Sequence, residues 1–149
     1  MYLFLNPTHQ HFFTLALINK NGQILVYKKI KAEYRQAEKL LIEIDKIVGA
    51  KNLLTKLKGL IVVSGPGGFT SLRIGLATAN ALAWSLQIPI IGLESKYTMQ
   101  DEEEIFEQSF KENDEKMIKI GFNKFKKVKT FKQVLPKYGS EPHITLKNK

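Results

Sequence analysis

Residues 60–79 read LIVVSGPGGFTSLRIGLATA: an apolar run, a glycine-rich turn and a segment of small side chains. The run Leu60–Val63 predicts a strand that is covered on both faces. The turn ends in threonine and serine, which commonly cap helices, so a helix is predicted from about Ser71 to Leu86. Beyond it, Ile90–Leu93 predicts a second buried strand. This order predicts a right-handed crossover between parallel strands.

Three strands are predicted before this crossover. Leu3–Leu5 and Phe12–Ile18 are apolar runs, and Gln23–Ile30 returns after Asn21-Gly22, a pair whose positive φ angles suit a hairpin turn. Leucine and isoleucine at spacings of three and four residues predict a helix over about Glu33–Val48. The sequence therefore predicts an α/β fold with a mixed five-stranded sheet.

The composition changes after this core. Acids dominate Asp101–Glu115, which predicts a short helix, and lysines dominate the remainder of the chain. Two short strands are predicted there, at Met117–Phe122 and Ile144–Leu146. Residues 1–98 are interpreted as one lobe. Residues 99–149 are interpreted as a reduced second lobe with too few apolar residues for a core of its own.

The chain has 149 residues, no cysteine and a formal net charge of +9. The basic excess either attracts an anionic partner, such as nucleic acid, or serves solubility, and composition leaves both interpretations open. No stretch reaches the roughly 18 apolar residues that span a bilayer. The start, Met1–Leu5, is interpreted as a strand rather than a signal peptide. We expect a cytoplasmic protein without a membrane partner.

The glycine-rich loop lacks the two common nucleotide-binding signatures. A P-loop needs a lysine that is absent here, and a dinucleotide fingerprint needs a glycine where Thr70 stands. Free N–H groups at a helix start can still hold an anion, although a tight strand-to-helix connection explains the same residues. The candidate anion-binding residues are Gly65, Pro66, Gly67, Gly68, Phe69, Thr70 and Ser71.

The helix after the loop carries a ridge of small residues, with Gly75, Ala79 and Ala83 at every fourth position. Glycine inside a helix costs roughly 1 kcal/mol relative to alanine, so close approach of another backbone is expected. That backbone belongs either to a partner or to the chain's own sheet, and spacing does not decide. Arg73 lies in the first turn, where the helix dipole disfavours a cation, so it is expected to meet an anion or a partner carboxylate.

Few residues indicate catalysis or metal binding. The histidines His9, His11 and His143 lack metal-motif spacing, and Asp101–Glu104 is interpreted as a solvated acidic face. No nucleophile elbow or catalytic triad is found. We therefore predict no catalytic residue and no metal. The lysines that either contact nucleic-acid phosphates or only solvate the surface are Lys124, Lys126, Lys127 and Lys129.

The stretch Val63–Ala79, VSGPGGFTSLRIGLATA, resembles the signature of the TsaB family, also called YeaZ. That signature has a Gly-Pro-Gly-x-Phe-Thr-x-x-Arg-x-Gly core followed by Ala-Thr-Ala, and Ile88–Leu93 matches its continuation. The resemblance implies an actin-like (ASKHA, ribonuclease-H-like) lobe plus a truncated second lobe. It also implies a non-catalytic subunit for forming N6-threonylcarbamoyladenosine (t6A) in tRNA.

The resemblance further implies partners. The family pairs with a TsaD-like catalytic subunit, a TsaE-like ATPase joins them, and tRNA is engaged indirectly. A homodimer is the alternative, because a ridge of small residues can also pair with itself. The residues that the resemblance assigns to the partner interface are Leu72, Arg73, Gly75, Leu76, Ala79 and Ala83.

One position departs from the family pattern. An Asp-Thr-Ser type phosphate motif usually follows the first strand, whereas this chain has Asn6-Pro7-Thr8. We therefore expect no cofactor on this chain, and ATP or ADP at most at the interface of the complex. The chain is also short for the family. The alternatives are a stand-alone actin-like nucleotide-binding module with weak ATPase activity and a basic RNA-binding module.

Overall fold

The computed structural model describes residues 1–33, 35–49, 52–95 and 103–138, with the backbone alone for 103–108. All five predicted strands and both predicted helices of the first lobe are confirmed, with bounds that shift by up to three residues. The strands are β1 (Tyr2–Asn6), β2 (Phe12–Ile18), β3 (Ile24–Lys31), β4 (Gly59–Gly65) and β5 (Ile90–Glu94), and the helices are α1 (Gln36–Val48), α2 (Phe69–Leu86) and α3 (Glu103–Lys124).

The five strands form one mixed sheet in the order β3-β2-β1-β4-β5. The β1–β2 and β2–β3 pairs are antiparallel, and the β1–β4 and β4–β5 pairs are parallel. The predicted hairpin turn is confirmed: Gly22 has a φ of +84°, and the Asn19 N–H donates to the Gln23 carbonyl at 2.9 Å. The sheet has the predicted crossover from β4 through α2 to β5.

Helices cover both faces of this sheet. On one face, α1 and α2 bury apolar residues such as Leu40 and Leu76 against Leu5 and Leu15. On the other face, α3 packs on the residues that alternate with these along the strands, among them Phe4 and Ile61. The layers are therefore helix, sheet and helix.

The prediction of a strand at Met117–Phe122 is wrong, because these residues belong to α3. Apolar and polar residues alternate over these few positions, as in a strand, but over residues 110–125 the buried residues recur at spacings of three and four, as in a helix. The buried residues are Phe110, Asp114, Met117, Ile118, Gly121 and Phe125. The predicted acidic helix is part of α3, which runs on to Lys124. The predicted strand Ile144–Leu146 and the lobe boundary near residue 98 lie outside the described residues.

After α3, the chain turns and runs back toward the glycine-rich loop. Residues 126–138 are called the tail here. Phe131 and Val134 of the tail pack against the core under α1 and α2. Apolar residues of α3 and of the tail thus pack on the first lobe. No helix in the described ranges is long and apolar enough to cross a membrane.

Replacing Ile118 by Ala should test whether α3 is part of the core. Ile118 is 1% exposed among Phe4 and Ile61, so we expect a loss of about 2–4 kcal/mol in the free energy of unfolding. Ile120, on the same helix, is 52% exposed, and Ile120→Ala should change stability by about 0.5 kcal/mol or less. Urea unfolding measures both, and equal losses would mean that α3 does not dock as described.

Candidate functional site

The glycine-rich loop between β4 and α2 is held by backbone hydrogen bonds from two sides. The Gly68 N–H donates to the Thr8 carbonyl at 3.0 Å, and the Lys137 N–H donates to the Ser64 carbonyl at 2.7 Å. Gly65 has a φ of +142°, and a Cβ there would overlap the Lys137 carbonyl. The loop is therefore a tight connection that needs glycine because the tail approaches it closely.

Aromatic side chains cover the start of α2. The Tyr138 ring of the tail stacks on the Phe69 ring with 4.9 Å between centroids. The Arg73 guanidinium lies 5.2 Å from the centroid of the same Phe69 ring. Arg73 thus has an aromatic neighbour within the chain, and a contact between Arg73 and an anion stays a prediction. Anion binding by the loop also stays a prediction.

The tail is tied to α2 by one asparagine. The Asn80 Nδ2 donates to the Val134 carbonyl at 2.8 Å, and the Asn80 Oδ1 accepts from the Val134 N–H at 2.9 Å. The Val134 side chain lies against Gly92, where a Cβ would overlap it. The tail therefore contacts both α2 and β5, the outer strand on this side of the sheet.

Replacing Asn80 by Ala should release the tail. The variant loses two hydrogen bonds, each worth about 1 kcal/mol, so the released state should become about five- to thirtyfold more populated. The measurement is the rate of trypsin cleavage after Lys132 and Lys137, whose side chains are already exposed but whose backbone is held against the lobe until the tail is released. The control is Asn123→Ala, an exposed asparagine at the end of α3. Equal cleavage rates in the two variants would contradict the role of Asn80.

The small-residue ridge packs inside this chain, which favours the second of the two interpretations above. Ala79 and Ala83 are 1% and 0% exposed, and a Cβ on Gly75 would overlap the ring of Pro7. The close approach that the helical glycine predicted is therefore made by the chain's own loop after β1. Five of the six residues assigned to a partner interface are buried here: Leu72, Gly75, Leu76, Ala79 and Ala83.

Because of this burial, the five residues are not accessible to a partner in this structure, and a partner interface on α2 stays a prediction. Arg73 alone of the six is exposed, and the outward stripe of α2 continues through Ala77 and Ala81 to Trp84. Trp84 is 63% exposed, and on the neighbouring α1 the exposed fractions of Leu41 and Ile42 are 60% and 55%. The outward surface of α1 and α2 is thus partly apolar, and a partner that meets α2 would touch this surface rather than the ridge.

A second polar centre lies on the opposite side of the sheet, around Asp114 of α3. This carboxylate is 0% exposed and accepts three hydrogen bonds of 2.7 Å each. The donors are Asn6 Nδ2, Thr14 Oγ1 and the Tyr27 hydroxyl, which lie on β1, β2 and β3. Three neighbouring strands therefore share one acceptor on α3.

Asn6, the position that departs from the family motif, fits this centre because it is an amide. Its Nδ2 donates to Asp114, while its Oδ1 accepts from the Thr8 N–H at 3.1 Å and the Thr8 hydroxyl at 2.7 Å. A carboxylate at this position would have no hydrogen to donate and would face a second carboxylate. In this chain the end of β1 is thus occupied by a structural hydrogen-bond network.

Asp114 should make stability depend on pH. Burial raises the pKa of its carboxyl to about 6 from an ordinary value of 3.8, although the three hydrogen bonds act in the opposite direction. Between these values the folded chain holds a proton that the unfolded chain has lost, so stability falls as pH rises. Tyr27, whose pKa burial raises, and Glu115 are the titratable neighbours that influence this carboxyl.

We expect the unfolding free energy of the native chain, relative to Asp114→Asn, to fall by about 2–3 kcal/mol between roughly pH 4 and pH 6. Above about pH 7 the difference should be constant, because both states are then ionised. Urea unfolding of both proteins across this range gives the measurement. A difference that rises with pH, or that does not change, would contradict the raised pKa of Asp114.

Two of the remaining candidates, His9 and His11, lie next to each other in the described part of the chain. The His9 ring stacks on Phe12 with 4.0 Å between centroids, and its Nδ1 accepts from the His11 N–H at 3.1 Å. Across the described ranges no three His, Cys, Asp or Glu residues come together in a group that could hold a metal ion. His143 lies outside these ranges, as do the side chains of Asp101–Glu104.

Three residues of these sites were not predicted from the sequence: Asp114, Asn80 and the exposed Trp84. Asp114 carried a usable signal, since it falls on the apolar stripe of α3 between Phe110 and Met117, where an acid needs polar partners. Trp84 also carried a signal, because it follows Ala83 by one residue and helical spacing therefore places it away from the ridge Gly75, Ala79 and Ala83. Asn80 had no signal, because its partner Val134 is distant in the chain.

Comparisons with known proteins agree with the architecture. The family model described as "TsaD: tRNA N6-adenosine threonylcarbamoyltransferase" matches residues 30–109, more than half of the chain. The chain belongs to this family. The curated matches to TsaB proteins, over short stretches, support the resemblance to the TsaB/YeaZ group that the signature indicated.

The TsaB protein of Bacillus subtilis (strain 168) is 46% identical over 43 residues, which are 29% of this chain and 19% of that protein. The TsaB protein of Buchnera aphidicola subsp. Schizaphis graminum is 37% identical over 81 residues, covering 48% of this chain and 38% of that protein. The matched parts therefore span well under half of these relatives.

The solved structure of YeaZ from Pseudomonas aeruginosa superimposes with a TM-score of 0.57 at 22% identity, over 63% of this chain and 43% of that one. At this identity the likeness concerns the fold. Together with the family model, it confirms the predicted actin-like, ribonuclease-H-like α/β lobe.

Proposed function

We propose that this chain is a non-catalytic assembly subunit in the formation of t6A in tRNA. In this proposal it pairs with and stabilises a TsaD-like catalytic subunit, and a TsaE-like ATPase joins the pair. The TsaB relatives support the pathway. The observation that carries the pairing is the exposed apolar surface of α1 and α2, on the sheet face opposite α3.

This surface has the composition of a protein interface. Its exposed apolar side chains include Leu41, Ile42 and Trp84, and Trp is enriched among the residues that dominate binding energy. Between Arg73 and Trp84, Ala77 and Ala81 leave a shallow path along α2 where another helix can approach closely. On the inner side of α2, the buried small residues let this helix pack closely on the sheet, which fixes the position of the exposed alanines.

We also propose that the chain supplies no catalytic side chain and no nucleotide site of its own. The support is the network around Asn6, which fills the end of β1 with Asp114 and Thr8 instead of an aspartate available to a metal–nucleotide complex. Any ATP or ADP would then bind at the interface of the complex. A cytoplasmic location stays a prediction.

Replacing Ala81 by Arg should abolish pairing without unfolding the chain. Ala81 is exposed at the centre of the outward stripe of α2, so an arginine there fits the monomer but obstructs a partner helix. We expect the affinity for the TsaD-like subunit to fall roughly tenfold or more. Co-purification and sedimentation with that subunit measure pairing, and mass spectrometry of tRNA measures t6A in cells that carry the variant.

The control is Ile120→Arg, which places the same side chain on an exposed position of α3, on the other face of the sheet. Both variants should unfold at the same urea concentration as the native chain. Sedimentation of the chain alone tests the homodimer, which would use the same surface when the partner is absent. Pairing that survives Ala81→Arg would contradict this interface, and unchanged t6A after deletion of the chain would contradict the pathway.

A further inference from the structure

Six lysines converge at the end of the sheet where β1 and β4 begin. Lys56 and Lys58 precede β4, and the Phe125 ring packs so tightly on Gly59 that a Cβ there would overlap it. The carbonyl of Lys124 accepts from the N–H groups of Lys127 and Val128 at 3.1 Å each, which closes a turn after α3. The six residues, called the basic end here, are Lys56, Lys58, Lys124, Lys126, Lys127 and Lys129.

Within the described residues, the six lysines are not paired with acids, although Glu94 of β5 lines the same surface cavity as Lys124. All six lysines are exposed, and none of them forms an ion pair with a described residue. The segments that carry them, 52–93 and 116–138, contain no aspartate or glutamate. The Met1 amine lies at the same end, where it donates to the Lys56 carbonyl at 3.4 Å. Burial and then Lys58 lower the pKa of this amine.

Two of these lysines lie at helix ends. Lys124 lies in the last turn of α3, where a cation is favoured by the helix dipole, and Lys56 ends the one-turn 3-10 helix Leu54–Lys56. The other four lie outside the helices, so the mutual repulsion among them is not offset by a helix end. Two separate segments of the chain thus bring lysines together at one end.

We infer that the basic end binds the phosphate backbone of RNA. Lysine binds phosphates as a point charge and needs no precise geometry to do so. Protein interfaces, by contrast, are depleted of lysine at their centres. An interfacial membrane helix needs an exposed apolar face beside its charges, whereas the apolar stripe of α3 is buried against the sheet and Ile120 is the one large apolar side chain that is exposed on its described part.

That the RNA is tRNA rests on the proposed function, because the basic end carries no group that reads bases. Contact would therefore be independent of RNA sequence and steeply dependent on salt. The basic end and the partner surface share no residue, so in this proposal a TsaD-like subunit and tRNA contact different side chains. This would make the engagement of tRNA direct.

The test replaces Lys124, Lys126, Lys127 and Lys129 together by Gln in the full chain. Binding of unmodified tRNA is measured by fluorescence anisotropy at several salt concentrations. The variant should bind roughly tenfold or more weakly at low salt, and the slope of log affinity against log salt should decrease in magnitude by about 3. The control replaces Lys28, Lys31, Lys111 and Lys116, exposed lysines toward the other end of the sheet, and removes the same charge.

We expect the control variant to keep most of the affinity and of the salt slope. Equal losses in the two variants, or no tRNA binding by the native chain at low salt, would overturn the inference. So would loss of binding to phosphatidylglycerol vesicles with unchanged binding to tRNA. Co-purification with the TsaD-like subunit is measured on the same variants. Because pairing should persist in both, failure of this inference is distinguishable from failure of the proposed function.

Discussion

The buried carboxylate of Asp114 ties the two halves of the chain together. Its three donors come from three adjacent strands, so α3 has one rotational setting in which all of them are satisfied. An unpaired carboxylate in this place would cost several kcal/mol, which makes this contact selective for one packing of α3 on the sheet. With α3 held in this way, its apolar stripe covers the second face of the sheet, and the chain after Phe125 is directed back along β5.

The tail then constrains the conformation of the glycine-rich loop. Its backbone reaches Ser64 and Gly65, and its Tyr138 ring lies on Phe69, so the loop is constrained by a segment about 70 residues away in sequence. Because its glycines have no side chain, other parts of the backbone can approach the loop closely. The tail does so at Gly65, and the loop after β1 does so at Gly67. The geometry of the loop is thus explained by packing within the chain.

The surface of the molecule has two areas of different chemistry. On the outward side of α1 and α2, exposed apolar residues and alanines form an area suited to a protein partner. At the basic end, lysines from separate segments form an area suited to phosphates. The two areas share no residue, and the two proposals above assign a protein partner to the first and RNA to the second.

The sequence by itself determined the five strands, α1 and α2, since apolar runs, the Asn21-Gly22 turn and helical spacing act over short distances. It also determined the family, because the signature at Val63–Ala79 is continuous in the chain. Only the tertiary structure decided that the ridge of Gly75 faces Pro7, that Asp114 meets Asn6, and that Lys56 and Lys126 lie at one end. These facts depend on contacts between residues far apart in sequence, and no local pattern specifies which of several compatible surfaces a residue will meet.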